Sequence, residues 1–507
     1  MILFVILFST ACSQTSDEEA ESSNDHSDSV EQIINVGQGV DATSLDPPMS
    51  TNIADKNITS HIFDTLIYRN DNMELEENLA TSWKAIDDNT WEIELREGIE
   101  FHNGEKFDAN DVKYSIERII DPEFEAPSRA QFMSIEKVEI ESDYKVKVIT
   151  SEPYPVLPAV LSELWIVPNE YTEENGKEEL ANNPVGTGPF KFVEWIRDEK
   201  VVLEANNDYW KGKPKLDEIH FLPIPESGTR IAMLQTGELD IVANLPPYNV
   251  EDLEENDDID VLSVLGARTY FVGLDTIDDS TPIADPKVRH ALAHAIDVET
   301  IIEETFSGYG TNLATILGED SFGFNPSINP VEYDPDKAKE LLKEAGYPNG
   351  FSIEFDSPNG RYPMDSEVSQ VISGQLADIG IDINLNIKEW GTFVGAFTSD
   401  TEEVAPMWLM GWSIPTFDAD AILYPLWTPD TYSRYDNDEM TKLLTDARYN
   451  MDSEKRLEQY HAALELARED MIQIPLYQLE DIYGKRSNVH WQPRADERIL
   501  LFEAYKE

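Results

Sequence analysis

The sequence predicts an α/β protein, and three observations lead to this prediction. Helix-like and strand-like hydrophobic patterns are mixed throughout the chain, and no segment of about 20–50 residues repeats. Residues 351–387 read as a strand, a helix and a second strand, which is the order of a parallel βαβ unit. The 507 residues, 41% of them hydrophobic and 27% charged, suffice for roughly two to four globular domains.

Three segments before this unit carry clear local signals. Residues 200–205 alternate between polar and apolar side chains and predict a half-buried strand. Asp334, Pro335 and Gly346 predict a helix with an aspartate N-cap, a proline in its first turn and a glycine after its end. Another set of apolar side chains follows helical spacing and predicts one helix face, made of Val288, Ala291, Leu292, Ala295, Val298 and Ile302.

The βαβ unit indicates where function should be sought. Residues 351–355 and 381–387 are its strands, residues 365–379 are its amphipathic helix, and Gly380 ends that helix. Residues 406–411 are apolar enough to form a further strand in the centre of the sheet. Ligands of open α/β sheets bind outside the carboxyl ends of the strands. We therefore expect the functional site in the two loops that follow strands, residues 357–362 and 412–420.

The charge balance argues against some classes of partner. Lys and Arg number 38 while Asp and Glu number 100, so the formal net charge is −62. Binding to nucleic acid requires clustered Lys and Arg that displace counterions, and docking on anionic lipid requires the same kind of charge. We therefore expect no nucleic-acid partner and no electrostatic attraction to membranes. The single cysteine cannot form an internal disulfide, so the fold must be held by packing alone.

The first 32 residues predict export and a lipid anchor. The eight apolar residues at the start are too few to cross a bilayer, which needs about 20, and they fit the apolar region of an export signal. Ser9, Thr10 and Ala11 precede Cys12, an arrangement that resembles the lipobox of bacterial lipoproteins, whose cysteine is acylated. Residues 1–11 are the predicted signal peptide, and residues 12–32, acidic and rich in serine, are a solvated tether. The alternative is a buried structural Cys12.

Common catalytic and cofactor motifs are missing from the sequence. It contains neither the G-x-S-x-G nucleophile elbow nor the H-E-x-x-H zinc motif. His290 and His294 are spaced to share a helix face, but no third metal ligand follows at a telling distance, so we favour packing and surface roles. The glycine-rich residues 185–190 lack the Lys-Ser/Thr pair of a phosphate-binding loop. We therefore predict a protein that is not an enzyme and that needs no metal or cofactor.

Three blocks of sequence identify a family. The first contains Leu79-Ala-Thr-Ser-Trp83, residues 95–102 and residues 111–118. The second contains Pro184-Val-Gly-Thr-Gly-Pro-Phe190 and Asn206-Asn-Asp-Tyr-Trp210, and the third Val288-Arg289 and Ala295-Ile-Asp297. In their order and spacing, from about residue 33 to the C-terminus, these blocks resemble the family-5 extracellular solute-binding proteins. That family comprises the dipeptide, oligopeptide, nickel and glutathione receptors of ABC importers.

The resemblance implies a two-lobed periplasmic-binding-protein fold of type II, in the large peptide-binding class. Lobe I would consist of residues 33–57, 186–265 and 483–507, with an extra subdomain from residues 58–185. Lobe II would consist of residues 266–482, and the chain would cross between the lobes near residues 266–272 and 477–483. The implied mechanism is closure of the lobes around one solute, after which the closed form docks on a membrane permease.

One position departs from the family pattern. Peptide-binding members usually carry an Asp three residues after a Gly-Trp pair, where its charge meets the free α-amino group of the ligand. Here Gly411-Trp412 is followed at that distance by Pro415, which offers no charge. Residues 416–420 look more like the glutathione-binding branch of the family, although Phe417 stands where that branch has Gly.

Seven residues form the predicted ligand site. Asp418 is the hypothetical partner of a ligand ammonium, with helix capping as an equal alternative, whereas for Asp420 a capping role is favoured. Arg361 offers a planar fork for a carboxylate, and its alternative role is a surface salt bridge. Trp412 and Tyr270 are expected to be apolar walls with polar tips, and for Trp412 a place in the lobe core is an equal alternative. The remaining members are neighbours in the two loops, Tyr362, Ser413 and Thr416.

These observations predict a bacterial extracytoplasmic receptor held at the outer face of the membrane by a lipid. It would capture a small peptide, either a dipeptide or oligopeptide or a glutathione-like molecule, and deliver it to the permease of an ABC importer. A monomer is expected, because closure of two lobes requires no second copy. Two alternatives remain: the same fold binding a chelated nickel, an opine or an oligosaccharide, and an exported hydrolase with paired carboxylates.

Overall fold

The computed structural model of the chain describes residues 32–50, 52–398, 404–429 and 432–507. The predicted signal peptide and the predicted tether up to residue 31, including Cys12, lie outside the described residues. Within these described ranges, none of the helices combines the length and apolar character that crossing a bilayer requires.

The strands and α-helices are interspersed along the chain. The strands are β1 (Ile33–Gln38), β2 (Ile67–Arg69), β3 (Leu75–Glu77), β4 (Ala80–Asp87), β5 (Thr90–Leu95), β6 (Ile135–Ser142), β7 (Lys145–Thr150), β8 (Phe190–Ile196), β9 (Lys200–Ala205), β10 (Glu218–Pro223), β11 (Ile241–Val242), β12 (Ile259–Leu274), β13 (Gly310–Asn312), β14 (Phe351–Asn359), β15 (Ile381–Glu389), β16 (Met407–Ser413), β17 (Gln473–Arg486), β18 (Val489–His490) and β19 (Tyr505–Lys506). The helices are α1 (Ile53–Ile62), α2 (Ala109–Ile120), α3 (Arg129–Phe132), α4 (Leu157–Leu161), α5 (Asn169–Asn175), α6 (Lys177–Asn182), α7 (Ser227–Thr236), α8 (Val250–Glu254), α9 (Pro286–Ala295), α10 (Val298–Phe306), α11 (Pro335–Glu344), α12 (Asp365–Ala377), α13 (Trp390–Phe397), α14 (Asp420–Trp427), α15 (Asp438–Tyr449) and α16 (Ser453–Asp470).

The largest sheet is built around two long antiparallel strands, β12 and β17. On one side of this pair lie β16, β14 and β15, and on the other lie β11, β1, β10, β9 and β8, while β13 adds to β17. The register of β12 with β17 shifts between Leu265 and Thr269, where β12 also begins to pair with β16. The two long strands therefore join both halves of the sheet, and they contain the predicted crossings at residues 266–272 and 477–483. The lobe boundaries themselves stay a prediction.

Two apolar cores lie on opposite faces of the sheet around β12. Tyr270 and Val272 of β12 enter one core, whereas Phe271 between them enters the other. The neighbouring strand β16 alternates in the same way, since Leu409 belongs to the first core and Trp408 to the second. This alternation is the period-2 pattern of a strand that is buried on both faces.

A separate antiparallel sheet lies in the segment predicted to be the extra subdomain. Its strand order is β4-β5-β7-β6. The apolar side chains of this segment, from Leu66 to Ile166, form a core of their own. A polar contact ties this segment to the rest of the chain, because Arg118 donates two hydrogen bonds to the buried carboxylate of Asp46, at 3.0 and 2.7 Å.

The local predictions for the second half are confirmed. The strands β14 and β15 pair in parallel from Phe351 to Asn359, with α12 between them in the chain. The strand β16 lies between β14 and β12, so it is central as predicted. The helix α11 begins after Asp334, whose carboxylate accepts a hydrogen bond from the backbone N–H of Lys337 at 2.9 Å. The strand predicted at residues 200–205 is β9.

Two predictions are wrong in detail. The apolar residues from Val288 to Ile302 do not form one helix face, because α9 ends at Ala295 and α10 begins at Val298. The break occurs because the carboxylate of Asp297 caps the new helix by accepting from the N–H of Thr300 at 3.0 Å. The two predicted loops also start later than expected, since β14 continues to Asn359 and β16 pairs with β12 as far as Ser413.

The glycines of residues 185–190 have a packing role. A Cβ atom added to Gly186 would lie 2.0 Å from the carbonyl oxygen of Ile62, and one added to Gly188 would lie 2.5 Å from that of His61. The N–H of Gly188 donates to the Ile62 carbonyl at 2.9 Å. The backbone therefore runs so close to the end of α1 that a larger residue has no room.

We expect Gly186→Ala to lower the free energy of unfolding by roughly 1–3 kcal/mol, because the new methyl group must displace the backbone of α1. Gly228→Ala is the matched control, since an added Cβ there meets no heavy atom within 4 Å. Thermal unfolding followed by circular dichroism measures both variants. Equal melting temperatures for Gly186→Ala and Gly228→Ala would contradict the close approach.

Candidate functional site

A cavity of about 890 Å³ lies beside the crossing strand β12. This volume is in the range of small-molecule sites, which enclose roughly 300–1,000 Å³. Four parts of the chain form its wall: α1 with the segment 130–163, Ala267 and Arg268 of β12, residues 496–498 near the C-terminus, and the region after β14 and β16. The last part includes the two loops in which the sequence predicted the site.

Five of the seven predicted site residues lie on the wall of this cavity: Arg361, Tyr362, Trp412, Ser413 and Thr416. The other two, Tyr270 and Asp418, are not among its wall residues. Trp412 has the polar tip that was predicted, but its indole N–H already donates to the carbonyl of Ala421 at 3.0 Å. Among the described residues, the buried hydroxyl of Thr416 has no hydrogen-bond partner.

The loop that carries Arg361 is held by a buried carboxylate. Asp365, at the start of α12, accepts hydrogen bonds from the backbone N–H groups of Gly360, Arg361 and Tyr362 at 3.1, 2.9 and 3.1 Å. The guanidinium of Arg361 lies 5.2 Å from the ring centre of Tyr362 and 5.3 Å from that of Trp390. Arg361 is exposed and makes no ion pair with any described residue. It is therefore placed on an aromatic platform with its charge available to a ligand.

Tyr270 lies behind the wall. Tyr270 is 4% exposed, and its ring packs edge-on against Tyr362 at 5.5 Å between ring centres. It also packs against the ring of Tyr477 at 5.1 Å in a tilted arrangement. Burial raises the pKa of its hydroxyl. The predicted contact with a ligand is therefore replaced by a supporting role, in which Tyr270 fixes the ring of Tyr362. Tyr362 in turn donates from its hydroxyl to the Gly411 carbonyl at 2.9 Å.

Asp418 makes contacts that differ from the predicted pairing with a ligand ammonium. Both of its carboxylate oxygens accept from the guanidinium of Arg456, each at 2.6 Å, and the pair is buried. One oxygen also accepts from the N–H of Asp420, the first residue of α14, at 2.9 Å. The contacts of Asp418 therefore fit the capping alternative, because an internal cation already satisfies its charge.

The neighbouring Phe417 has an unusual backbone conformation. Its backbone has φ of 52°, which is the left-handed region that favours glycine. The ring packs with Met73, Ala267 and Ala495, and the guanidinium of Arg69 lies 5.2 Å from its centre. Arg69 also donates to the carbonyl of Thr416 at 3.1 Å. Packing from the other side of the cavity thus offsets the strained backbone.

Most charged groups of the wall are paired. Glu163 accepts from both Lys56 and Arg498, and Asp496 accepts from Arg494 at 2.8 Å and lies 4.0 Å from Arg498. Asp420 lies 3.7 Å from a guanidinium nitrogen of Arg448. Burial raises the pKa of Asp420 to about 6, although the charge of Arg448 opposes this shift.

Sequence reasoning missed three residues of the site. Arg268 projects from β12 into the wall and donates to the Gly411 carbonyl at 3.3 Å. Glu497 lies on the wall with φ of 63°. Asp365 positions the Arg361 loop, as described above. A signal for Arg268 was present, because it is the only charge in the otherwise uncharged run of residues 261–274. Glu497 carried no comparable signal.

The two histidines with helical spacing bind backbone carbonyls. His290 contacts the carbonyl oxygen of Glu469 and His294 that of Glu332, both at 2.8 Å. Across the part of the chain that the structure describes, no cluster of three or more His, Cys, Asp or Glu side chains is arranged to hold a metal ion.

Comparison with known proteins gives consistent matches. Residues 74–434 match the family of bacterial extracellular solute-binding proteins, family 5 Middle. The glutathione-binding protein GsiB of Shigella flexneri is 31% identical over 454 residues, which cover 87% of this chain and 88% of that protein. The structure of the periplasmic binding protein DppA of Helicobacter pylori, in complex with the peptide STSA, superposes with a TM-score of 0.76 at 31% identity and covers 94% of this chain and 98% of that one. The structure of HbpA2 of Haemophilus parasuis superposes with a TM-score of 0.85 at 26% identity and covers 94% of this chain and 100% of that one.

We expect Asp418→Asn to destabilise the protein by about 3–5 kcal/mol, because it leaves the buried guanidinium of Arg456 without its counter-charge. The double variant Asp418→Leu with Arg456→Met should recover part of this loss, since no unpaired charge remains. Urea unfolding followed by tryptophan fluorescence measures the difference.

The control for that experiment is Glu344→Gln, which removes an exposed ion pair with Lys287 and should leave the urea midpoint near that of the wild type. A wild-type midpoint for Asp418→Asn would show that the pair with Arg456 is not buried as described.

Proposed function

The chain belongs to the family-5 bacterial extracellular solute-binding proteins, as the sequence resemblance predicted, and from this premise we propose that it captures a small peptide and delivers it to the permease of an ABC importer. Its mixed α/β fold is the two-lobed fold of these proteins. Proteins of this family bind substrates for transport and are not enzymes.

The observation that carries the proposal is the guanidinium of Arg361, which lies on the cavity wall and has no ion-pair partner among the described residues. It lies on the rings of Tyr362 and Trp390 at the carboxyl end of β14, where ligands of α/β sheets bind. In a chain of net charge −62, a local cation without an ion-pair partner favours the binding of an anionic group. The carboxylate of a peptide fits the planar fork of Arg361, and the aromatic rings offer a surface for its side chains.

Several relatives with known ligands support a peptide, while AgaA, which superposes with a TM-score of 0.75 at 27% identity, was determined with agropinic acid. GsiB is named for glutathione, and DppA of Helicobacter pylori was determined with the peptide STSA. A dipeptide-binding protein from Pseudoalteromonas, determined with Met-Leu, superposes with a TM-score of 0.77 at 26% identity. Glutathione and the other two ligands share a free carboxylate and a free amino group, which is the zwitterionic character proposed for the ligand here.

Capture would proceed by closure of the two lobes about the crossing strands β12 and β17. The cavity wall combines α1 and the segment 130–163 on one side with the loops after β14 and β16 on the other. A ligand that contacts both sides contributes free energy only to the closed state and so shifts the equilibrium towards it. The closed form would then dock on the permease, and the solute would leave chemically unchanged.

We also propose that the protein is a monomer at the outer face of the cell membrane, anchored by a lipid on Cys12. The apolar run, the small residues before the cysteine and the acidic tether behind it support this proposal. An anchor of this kind keeps the receptor near its permease without a transmembrane helix.

We expect Arg361→Ala to weaken binding of dipeptides and glutathione by about 10- to 100-fold, because a charge-assisted pair of hydrogen bonds is lost. Isothermal titration calorimetry measures the affinities. Arg197→Ala is the control, since Arg197 is exposed and does not line the cavity. If Arg361→Ala keeps wild-type affinity for every ligand that the wild type binds, Arg361 does not belong to the site.

The anchor predicts that the full chain, expressed in a bacterium that processes lipoproteins, partitions into the detergent phase of Triton X-114. Cys12→Ala should move the protein to the aqueous phase, because the acyl acceptor is lost. Mass spectrometry of the N-terminal peptide identifies the lipid directly. A wild-type protein with an unmodified Cys12 would refute the anchor while leaving the receptor function intact.

A further inference from the structure

Most charged side chains around the cavity form ion pairs with one another, and only a few are left without an ion-pair partner among the described residues. Lys56, Arg498 and Arg494 form a connected network with three carboxylates, those of Glu163, Asp496 and Asp71. Three cations meet three anions in these ion pairs, which are neutral as a set. Beside them lies the buried guanidinium of Arg69, which is not on the cavity wall and makes no ion pair with a described residue, so it adds a positive charge. Arg448 and Asp420 make a further neutral pair, and Asp418 behind the wall is neutralised by Arg456.

Two cations and one anion of the wall remain without an ion-pair partner among the described residues: Arg268, Arg361 and Glu497. Both guanidinium groups lie near the ring of Tyr362, at 5.8 Å for Arg268 and 5.2 Å for Arg361. The only hydrogen bond from the Arg268 side chain within the described ranges goes to the neutral carbonyl of Gly411. The wall therefore carries one more unpaired positive charge than negative.

Two other carboxylates lie near these three side chains, but they do not change the count of unpaired charges on the wall. Asp481 of β17 is half-buried, and its Oδ2 atom is buried without a hydrogen-bond partner among the described residues. Burial and the charge of Glu497 raise the pKa of Asp481, although the charge of Arg268 opposes this shift, and a raised pKa favours the neutral form. Asp365 lies behind the Arg361 loop, and its oxygens accept from four backbone N–H groups, those of residues 360, 361, 362 and 366. Such N–H groups stabilise a buried carboxylate without a cation.

Resting on the proposed function, we propose that the ligand is an acidic small peptide with one ammonium and two carboxylates, in which Glu497 receives the ammonium and Arg268 and Arg361 receive the carboxylates. Closure removes water from these side chains, and a buried charge without a partner is costly. A peptide of this class neutralises all three groups, whereas a neutral dipeptide leaves one guanidinium uncompensated. Glu497 thereby supplies the carboxylate that Pro415 cannot offer.

The direct test compares Ala-Glu with Ala-Gln, which differ in one charge and hardly in shape. The full chain is stripped of co-purifying solute in denaturant, refolded and titrated with each peptide at pH 7.4 by calorimetry. We expect Ala-Glu to bind about tenfold or more tightly than Ala-Gln, because only Ala-Glu pairs with both arginines. Equal affinities, or tighter binding of Ala-Gln, overturn the inference and leave the proposed function standing. If neither these peptides nor glutathione bind, both the inference and the proposed function are overturned.

Two variants assign the roles. Arg268→Gln should bring the Ala-Glu to Ala-Gln affinity ratio close to one, whereas the control Arg197→Gln should keep it. Glu497→Gln should weaken Ala-Glu about tenfold but leave N-acetyl-Ala-Glu unchanged, because the acetylated peptide has no ammonium. Thermal unfolding of each ligand-free variant identifies any variant that fails to fold. The comparison of Ala-Glu with Ala-Gln in the wild-type protein decides the ligand class independently of the variants. If Arg268→Gln keeps the wild-type ratio of Ala-Glu to Ala-Gln affinity, the role of Arg268 is contradicted. If Glu497→Gln weakens Ala-Glu and N-acetyl-Ala-Glu equally, the role of Glu497 is contradicted.

Discussion

The cavity depends on the antiparallel pairing of β12 with β17. The register of this pair is irregular between Leu265 and Thr269, and in this stretch the successive residues Ala267 and Arg268 both line the cavity. Arg268 reaches the wall while the next residue, Thr269, points away and donates to the carbonyl of Ile316 at 2.8 Å. Before the shift of register at Leu265, β12 pairs with β17 alone. After it, β12 pairs with both β17 and the loop-bearing strand β16.

The residues that identify the family are mostly structural and lie away from the proposed ligand. Arg289, from the third sequence block, donates only to backbone carbonyls, among them those of Asp470 and Met471 at the end of α16. Tyr209 and Trp210, from the second block, both donate to the buried carboxylate of Asp64 at 2.9 Å. These bonds hold helix ends and turns in place. Family membership and ligand choice are therefore encoded by different residues, so one can be recognised while the other is not.

The sequence predicted what depends on local pattern and failed where distant segments meet. The βαβ unit and the cap at Asp334 follow from spacing within about 40 residues, and β16 was recognisable from its apolar run alone. The partner of Asp418 is Arg456, which is 38 residues away in the chain with α14 and α15 between them, and no pattern connects the two residues. Glu497 joins the cavity through the C-terminal segment, and its relevance emerges only after the other carboxylates are seen to be paired. Which charges are paired depends on the folded wall, where segments that are distant in the sequence meet.

The surplus of positive charge in the cavity and the net charge of −62 act at different distances. At physiological ionic strength the Debye length is about 8 Å, so surface carboxylates farther away are largely screened at the cavity. The two unpaired guanidinium groups lie within 6 Å of one tyrosine ring, and screening weakens once closure excludes water. Local pairing should therefore determine which ligand is held, while the summed surface charge affects how fast an anionic ligand arrives. An acidic receptor can in this way retain an acidic solute, because affinity and encounter rate are determined by different charges.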